Sequence, residues 1–219
     1  MAAAESRGLF ITLEGGEGAG KSTAARVLGE HLRERGYGVC VTREPGGTSR
    51  GEMIEGILQY FEKGNPLTPL AELLLFEADR AQHVWEEIVS TLAADDLVVC
   101  DRFTDSSLAY QGYGRGLDLD FIAKLNDAAT GGLKPHLTLL LDVPPEIGLA
   151  RAGTPKDAIG LEAVEFHTRV RQGFLELAQA EPDRFVVIDA TLPEAEVAAL
   201  ALGAVRMVAK RLGHHHHAL

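Results

Sequence analysis

The chain has 219 residues, of which 46% are hydrophobic and 24% charged, and 32 acidic against 21 basic residues give a formal net charge of −11 at pH 7. That acidity argues against a general nucleic-acid-binding surface, which needs clustered Lys and Arg, but leaves room for a small nucleotide in a locally basic cleft. No apolar run reaches membrane-spanning length, and residues 1–7 lack the hydrophobic core of a secretory signal.

In chain order, residues 9–13 form an apolar strand, and a helical pattern over 20–35 follows a glycine-rich turn. A second strand covers 38–42, a helix lies near 50–61, and a long helix spans 69–93 with Leu73, Leu74, Phe76, Val84 and Ile88 toward the core. Strand 97–101 comes next, then a helix over 118–129 closed by Gly131-Gly132, then strand 137–142. Residues 152–161, with Gly153, Pro155 and Gly160, interrupt two helical patterns and read as a loop. Helix 162–180, strand 185–189 and helix 193–211 complete the series. Continuous apolar strands separated by helices predict a parallel sheet covered on both faces. Cys40 and Cys100 lie in strand runs without metal-ligand spacing, so buried reduced thiols and a cytoplasmic location are expected. The tract His214–His217, a purification tag or a metal-binding tail, is set apart from the fold as 214–219, leaving residues 1–213 as one domain.

The turn after the first strand carries the chemistry. Gly15, Gly20, Lys21 and Ser22 form G-x-x-x-x-G-K-S between a strand and a helix, the Walker A arrangement. Its glycines let backbone N–H groups wrap a phosphate, and the helix presents its positive end to the same point. Residues Gly15, Gly16, Glu17, Gly18, Ala19, Gly20, Lys21, Ser22 and Thr23 are therefore expected to hold a nucleoside triphosphate. Lys21 would reach the β- and γ-phosphates, and the Ser22 hydroxyl would sit on Mg²⁺. The other strands end in charged groups: Arg43-Glu44-Pro45-Gly46-Gly47, Asp101-Arg102, Asp142 and Asp189. Loops at the carboxyl edge of such a sheet line its cleft. On residue type alone, Phe76 fits a core position as well as a stacking face. Arg80 fits a surface pair, Asp101-Arg102 fits a strand-end ion pair, and His83 and His167 read as structural.

Taken together, the phosphate loop, Arg43 to Thr48, Leu74 to Arg80, Asp101 to Gly112 and Phe166-His167-x-Arg169-Val170-Arg171 resemble the thymidylate kinases, the nucleoside-monophosphate kinases of the P-loop class, over about residues 8–212. The resemblance implies a three-layer α/β/α P-loop kinase with a five-stranded parallel sheet in the order 2-3-1-4-5. It also implies phosphoryl transfer from ATP to dTMP with Mg²⁺, and a homodimer. It places Glu17 at the acceptor's 3′-hydroxyl and Phe76 on the pyrimidine, with Arg80 and Gln111 at the base's polar edge. Arg102 would meet the acceptor phosphate, Ser107 would lie beside the base, and Tyr110 beneath the deoxyribose. Pro45 belongs to the same substrate site, and Asp101 would help place the metal. Residues 152–161 become a lid.

Three departures from the pattern stand out. Gly18 occupies a position where one branch carries Arg. Ala158 stands where the bacterial lid has Arg, and Glu55 replaces another Arg. Arg151 and Lys156 are then the basic residues expected to serve catalysis near the lid, with Arg50 as a further substitute. A cationic finger contributes about 10³–10⁵ in rate in other phosphoryl-transfer enzymes, so slow turnover, a different nucleotide preference, or a weakly active nucleotide-binding protein are the alternatives.

Overall fold

The structure, a computed structural model, describes residues 8–60, 65–154 and 157–213. Residues 1–7, Pro155, Lys156 and the histidine tract lie outside the described residues. Among those described, β1 (Phe10–Glu14), β2 (Val39–Arg43), β3 (Leu97–Asp101), β4 (Leu137–Asp142) and β5 (Phe185–Asp189) form one parallel sheet in the order 2-3-1-4-5. The register pairs Leu13 with Asp101, Arg43 with Asp101, and Asp142 with Asp189, so the charged carboxyl ends of the strands come together at one edge.

Both faces of the central strands are apolar because both are covered. Leu9, Ile11 and Leu13 of the first strand region, with Leu137, Leu139 and Leu141, join a core built on α1 (Lys21–Glu34) and α9 (Glu194–Arg211). The alternate residues face the other side. Phe10, Val98 and Cys100 meet Val84, Ile88 and Leu92, while Leu140 and Phe185 meet Phe166, Val170 and Phe174 of α8 (Val164–Ala180). The period of two along each strand thus divides one apolar run between two cores.

The remaining helices follow local signals. Thr48 and Thr68 cap α2 (Ser49–Gln59) and α3 (Pro69–His83) by accepting hydrogen bonds from Gly51 and Ala71. Asp118 does the same for α6 (Leu119–Thr130), which ends on left-handed Gly131. The long helix runs through α3 and a π-helical turn, Val84–Ile88, into α4 (Val89–Ala93). Leu73, Val84 and Ile88 are buried as expected, but Leu74 is 47% exposed and belongs to the outer face. Cys40 is also corrected: its edge strand leaves the thiol half-buried, whereas Cys100 is buried, and both are free. A helical stretch missed by periodicity follows β3, with α5 (Thr104–Ser107) continuing as a π-helical turn, Leu108–Gly114. α7 (Pro145–Ala152) precedes α8, and the described residues between them, 153–154 and 157–163, are non-helical.

Leu139 is fully buried at the centre of the sheet, while Met207 on α9 is 65% exposed. Leu139→Ala is expected to lower unfolding free energy by about 2–5 kcal/mol. Met207→Ala should remain within about 0.5 kcal/mol of the parent. Urea titrations that rank the two variants the other way would overturn this placement of the core.

Candidate active site

The phosphate loop follows directly from β1. Gly15 has φ +141°, Gly18 +65° and Gly20 +87°, conformations that favour glycine. Lys21 folds back over the loop, its Nζ donating to the carbonyls of Gly16 at 2.7 Å and Gly15 at 3.0 Å. Burial, and the neighbouring Arg102, lower its ammonium to about 8, against the favourable fields of Asp101, Glu17 and Glu14. The next side chain, Ser22, donates to Asp101 Oδ2 at 2.5 Å. Asp101 Oδ1 is buried and has no hydrogen-bond partner. A hydroxyl beside a carboxylate with an uncommitted oxygen is a donor set suited to a hard cation that keeps several waters.

Gly18 explains one departure. A Cβ there would lie 1.9 Å from the carbonyl oxygen of Gly148 on α7, and a Cβ on Gly148 would lie 2.2 Å from the carbonyl oxygen of Glu17. Loop and helix backbones touch through this glycine pair. An Arg at position 18 has no room while α7 holds this position.

Two clefts open from the loop. The first, about 540 Å³, is lined by residues 17–23 and by Arg151 and Gly153 at the end of α7. The second, about 750 Å³, is lined by Pro45, Phe76, Arg80, Ser107, Tyr110 and Gln111, and roofed by residues 157–159, 161 and 162. Glu17, Ser22, Asp101, Arg102 and Asp157 line both clefts. The expected donor and acceptor residues therefore fall on opposite sides of a shared wall.

Arg102 stands at that wall with φ 70°, rare for a residue with a side chain. Its backbone N–H still bonds Leu13 at 2.9 Å. One arm, Nη2, donates to Glu17 Oε1 at 2.6 Å, while Nη1 makes only 3.5 Å contacts with the Gly15 carbonyl and Ser106 Oγ. The guanidinium lies 4.9 Å over the Tyr110 ring. Tyr110 in turn donates to Glu17 Oε1 at 2.9 Å. Burial would raise the Glu17 carboxyl, but Arg102 and Lys21 outweigh it and hold the group at about 2.

Other expected site residues have definite structural partners. Phe76 is half-buried on the acceptor cleft rather than enclosed in a core. Arg80 is buried and donates to Glu44, Glu77, Ser107, Asn126 and the Phe103 carbonyl. Gln111 donates to Glu72 at 2.8 Å. Arg151 donates to the Ala190 carbonyl at 2.6 Å. Arg50 is exposed, pairs with Glu86 and lines neither cleft. Asp142 is gripped by Arg171 at 2.7 and 2.8 Å, and Asp189 caps the turn at Thr191. His83 bridges Glu44 and Thr42 in the interior.

Pattern reading placed Arg43 at a charged strand end without a role and missed Glu72 and Arg115; all three line the acceptor cleft. Arg43 forms two 2.7 Å hydrogen bonds with Glu55, so the unusual acid neutralises a cleft-wall cation. The charged strand end was the available signal for Arg43. Glu72 and Arg115 meet only through tertiary structure.

A Walker loop whose lysine lines one cleft, joined through its serine and an Asp-Arg wall to a second, aromatic-sided cleft, defines a P-loop kinase, built to bring two phosphate-bearing molecules together. The sequence profile of the thymidylate kinase family matches residues 13–200. A thymidylate kinase of Synechococcus sp. is 60% identical over 191 residues, covering 87% of this chain and 91% of the relative. That of Desulfovibrio desulfuricans is 49% identical over 214 residues, 94% and 98% of the two chains. The crystal structure of thymidylate kinase from Ehrlichia chaffeensis superposes with a TM-score of 0.75 at 36% identity, covering 90% of this chain and 98% of that one. The chain belongs to the thymidylate kinase family.

Glu14 lies beneath the wall, fully buried, accepting hydrogen bonds from Phe103 N–H at 2.8 Å and Ser106 Oγ at 2.6 Å. Burial, then the nearby Asp105, pushes its carboxyl from 4.5 up to about 8. Between those values the folded chain holds a proton that the unfolded chain has lost, so stability falls as pH rises through the window. The melting temperature of the parent should drop more steeply from about pH 5 to about pH 8 than that of Glu14→Gln. Parallel profiles would show that Glu14 does not set the slope.

Proposed function

We propose that this chain transfers the γ-phosphoryl group of ATP to dTMP, giving ADP and dTDP for DNA precursor synthesis. The observation that carries this reading is the meeting of two clefts at Glu17, Ser22, Asp101 and Arg102, beside Lys21 on the donor side, in a chain of this family. A phosphate oxygen of the acceptor forms the new bond to the γ-phosphorus, and the bond to the β,γ-bridging oxygen breaks. Residues 15–23 wrap the donor phosphates. Lys21 leaves its two loop carbonyls to meet them. Arg102 uses its loosely held arm for the acceptor phosphate, while Glu17 keeps the other arm aimed and meets the 3′-hydroxyl. Phe76 stacks on the base, and Gln111 and Ser107 meet its edge. Pro45 helps wall the site, and Arg80 stands at the same polar edge, where it donates to Ser107. Tyr110 fills the space below the sugar. Arg151 flanks the donor nucleotide. Ser22 and Asp101 are the residues that would hold Mg²⁺, which when bound supplies positive charge to the crowded phosphates. The roof around residues 152–161 acts as a lid over a single domain, 1–213.

Ala158 in that roof and the Arg43–Glu55 pair favour a second reading, slow turnover or an altered acceptor preference. A coupled ADP-release assay with dTMP, dUMP, dCMP, dGMP and UMP separates the readings. Rapid use of dTMP above the others is expected. Lys21→Ala should lower kcat by about 10² or more with the fold intact, because the charge it supplies acts where the transition state is most anionic. Preference for another monophosphate, or a fully active Lys21→Ala protein, would overturn the assignment.

A homodimer in the cytoplasm completes the proposal. Met53 and Ile57 of α2, Leu70 and Leu74 of α3, and Trp85 and Val89 beyond them are exposed, Trp85 by 80%. Such apolar surface fits an isologous interface. No described helix is long and apolar enough to cross a membrane. Free Cys40 and Cys100 suit a reducing compartment. Light scattering should give twice the chain mass, and Trp85→Glu should shift it toward the monomer. A monomeric parent would refute the dimer.

A further inference from the structure

Arg115 has no part in the roles above, yet its side chain joins two parts of the acceptor cleft. It follows the Leu108–Gly114 turn, its N–H bonding the Tyr110 carbonyl at 2.9 Å. Its guanidinium stacks 4.9 Å over the ring of Phe166, which is itself buried. From that fixed plane it points both ways. Nε and Nη2 donate to the two oxygens of Glu72 at 3.2 and 3.0 Å, and Nη1 donates to Glu162. Glu72 is buried on α3 and also accepts the Gln111 Nε2 donor at 2.8 Å. Glu162 ends the roof segment.

We propose that Arg115 is a positioning residue that locks the base-reading side of the acceptor cleft to its roof. The proposal rests on the reading of Gln111 as a base contact. Glu72 can accept only from the Nε2 end of Gln111, so it decides which way that carboxamide faces. Arg115 answers the buried Glu72 carboxylate in a two-pronged pair. The same guanidinium holds Glu162, and Ile159 of the roof packs on the cluster that contains Phe166. A shift of the base edge or of the roof therefore disturbs the same cation. Lysine cannot reproduce this geometry, since a single ammonium has no planar fork to satisfy Glu72 and Glu162 while stacked on a ring.

The test is initial-rate kinetics of the full chain with dTMP and ATP varied, beside thermal melts. Arg115→Ala should raise the KM for dTMP and lower kcat, each by roughly tenfold, the scale of one lost charge-assisted hydrogen bond, with the KM for ATP nearly unchanged. Glu72→Gln should reproduce mainly the rise in KM for dTMP. Glu162→Gln should reproduce mainly the fall in kcat, and Arg115→Lys should fail to restore both. A folded Arg115→Ala protein with parental kcat and dTMP KM would overturn the proposal, as would equal rises in KM for both nucleotides. If Arg115→Ala does not fold, parental kcat in Glu162→Gln overturns it instead. Gln111→Ala separates the two layers of argument. Unchanged dTMP KM in that variant sinks the base-contact reading itself, whereas a raised KM beside unaffected Arg115 variants sinks only the coupling.

Discussion

The site depends on burying opposite charges at one sheet edge and giving each a counterpart. Arg102 lies close enough to disfavour the Lys21 ammonium, and Asp101 and Glu17 offset that repulsion while also favouring the Arg102 charge. Taking such groups out of water is costly, and only close pairing and hydrogen bonding make it tolerable. The result is a wall that is positive toward phosphate yet balanced without it. Glu17 is the central balance: it accepts from Arg102 and Tyr110 and shares the field of Lys21. In the proposed reaction a phosphate entering beside Arg102 meets an arm already aimed by this carboxylate.

A steric constraint complements the electrostatic one. The phosphate loop is clamped between the end of β1 and the backbone of α7, where Gly18 and Gly148 permit direct contact. The position of the loop is thus tied to the helix that leads into the roof. This contact also gives the absence of a loop arginine a structural cause. With no side chain possible at position 18, cationic help must come from α7, the roof or the Asp-Arg wall.

The fold was legible because each strand is a short apolar run and several helices carry a side-chain cap or end at a glycine. Three strands, 97–101, 137–142 and 185–189, keep the bounds read from sequence, and the other two shift by one residue. The Leu108–Gly114 turn was not legible as a helix. Its residues, Leu-Ala-Tyr-Gln-Gly-Tyr-Gly, include two glycines and follow a π-helical spacing that a 3.6-residue template misses. Leu74 was misplaced because Leu73, Leu74 and Leu75 are equally apolar, and only the neighbour that packs on α3 decides which one turns inward. In the site, the phosphate loop was readable since all its parts are consecutive. The Arg115–Glu72–Glu162 cluster was not, since its members come from three segments and carry no spacing signal.

The departures at 55 and 158 acquire different meanings once placed in space. Glu55 does not leave a gap; it holds Arg43 in a two-pronged pair at the acceptor wall. Arg43 is more exposed than Arg80 or Arg102, so solvent screens its pair and a dianion can compete for it. Ala158 is a different matter, because it lines the roof and brings no charge of its own. The roof segment is instead held by anchors on its flank: Glu162 to Arg115, and Ile159 to the cluster around Phe166. A roof held by packing and by the Arg115–Glu162 pair can exclude water without contacting phosphate. In the proposed reaction electrostatic catalysis then falls chiefly on Lys21 and Arg102, whose positions are set by the sheet edge rather than by the roof.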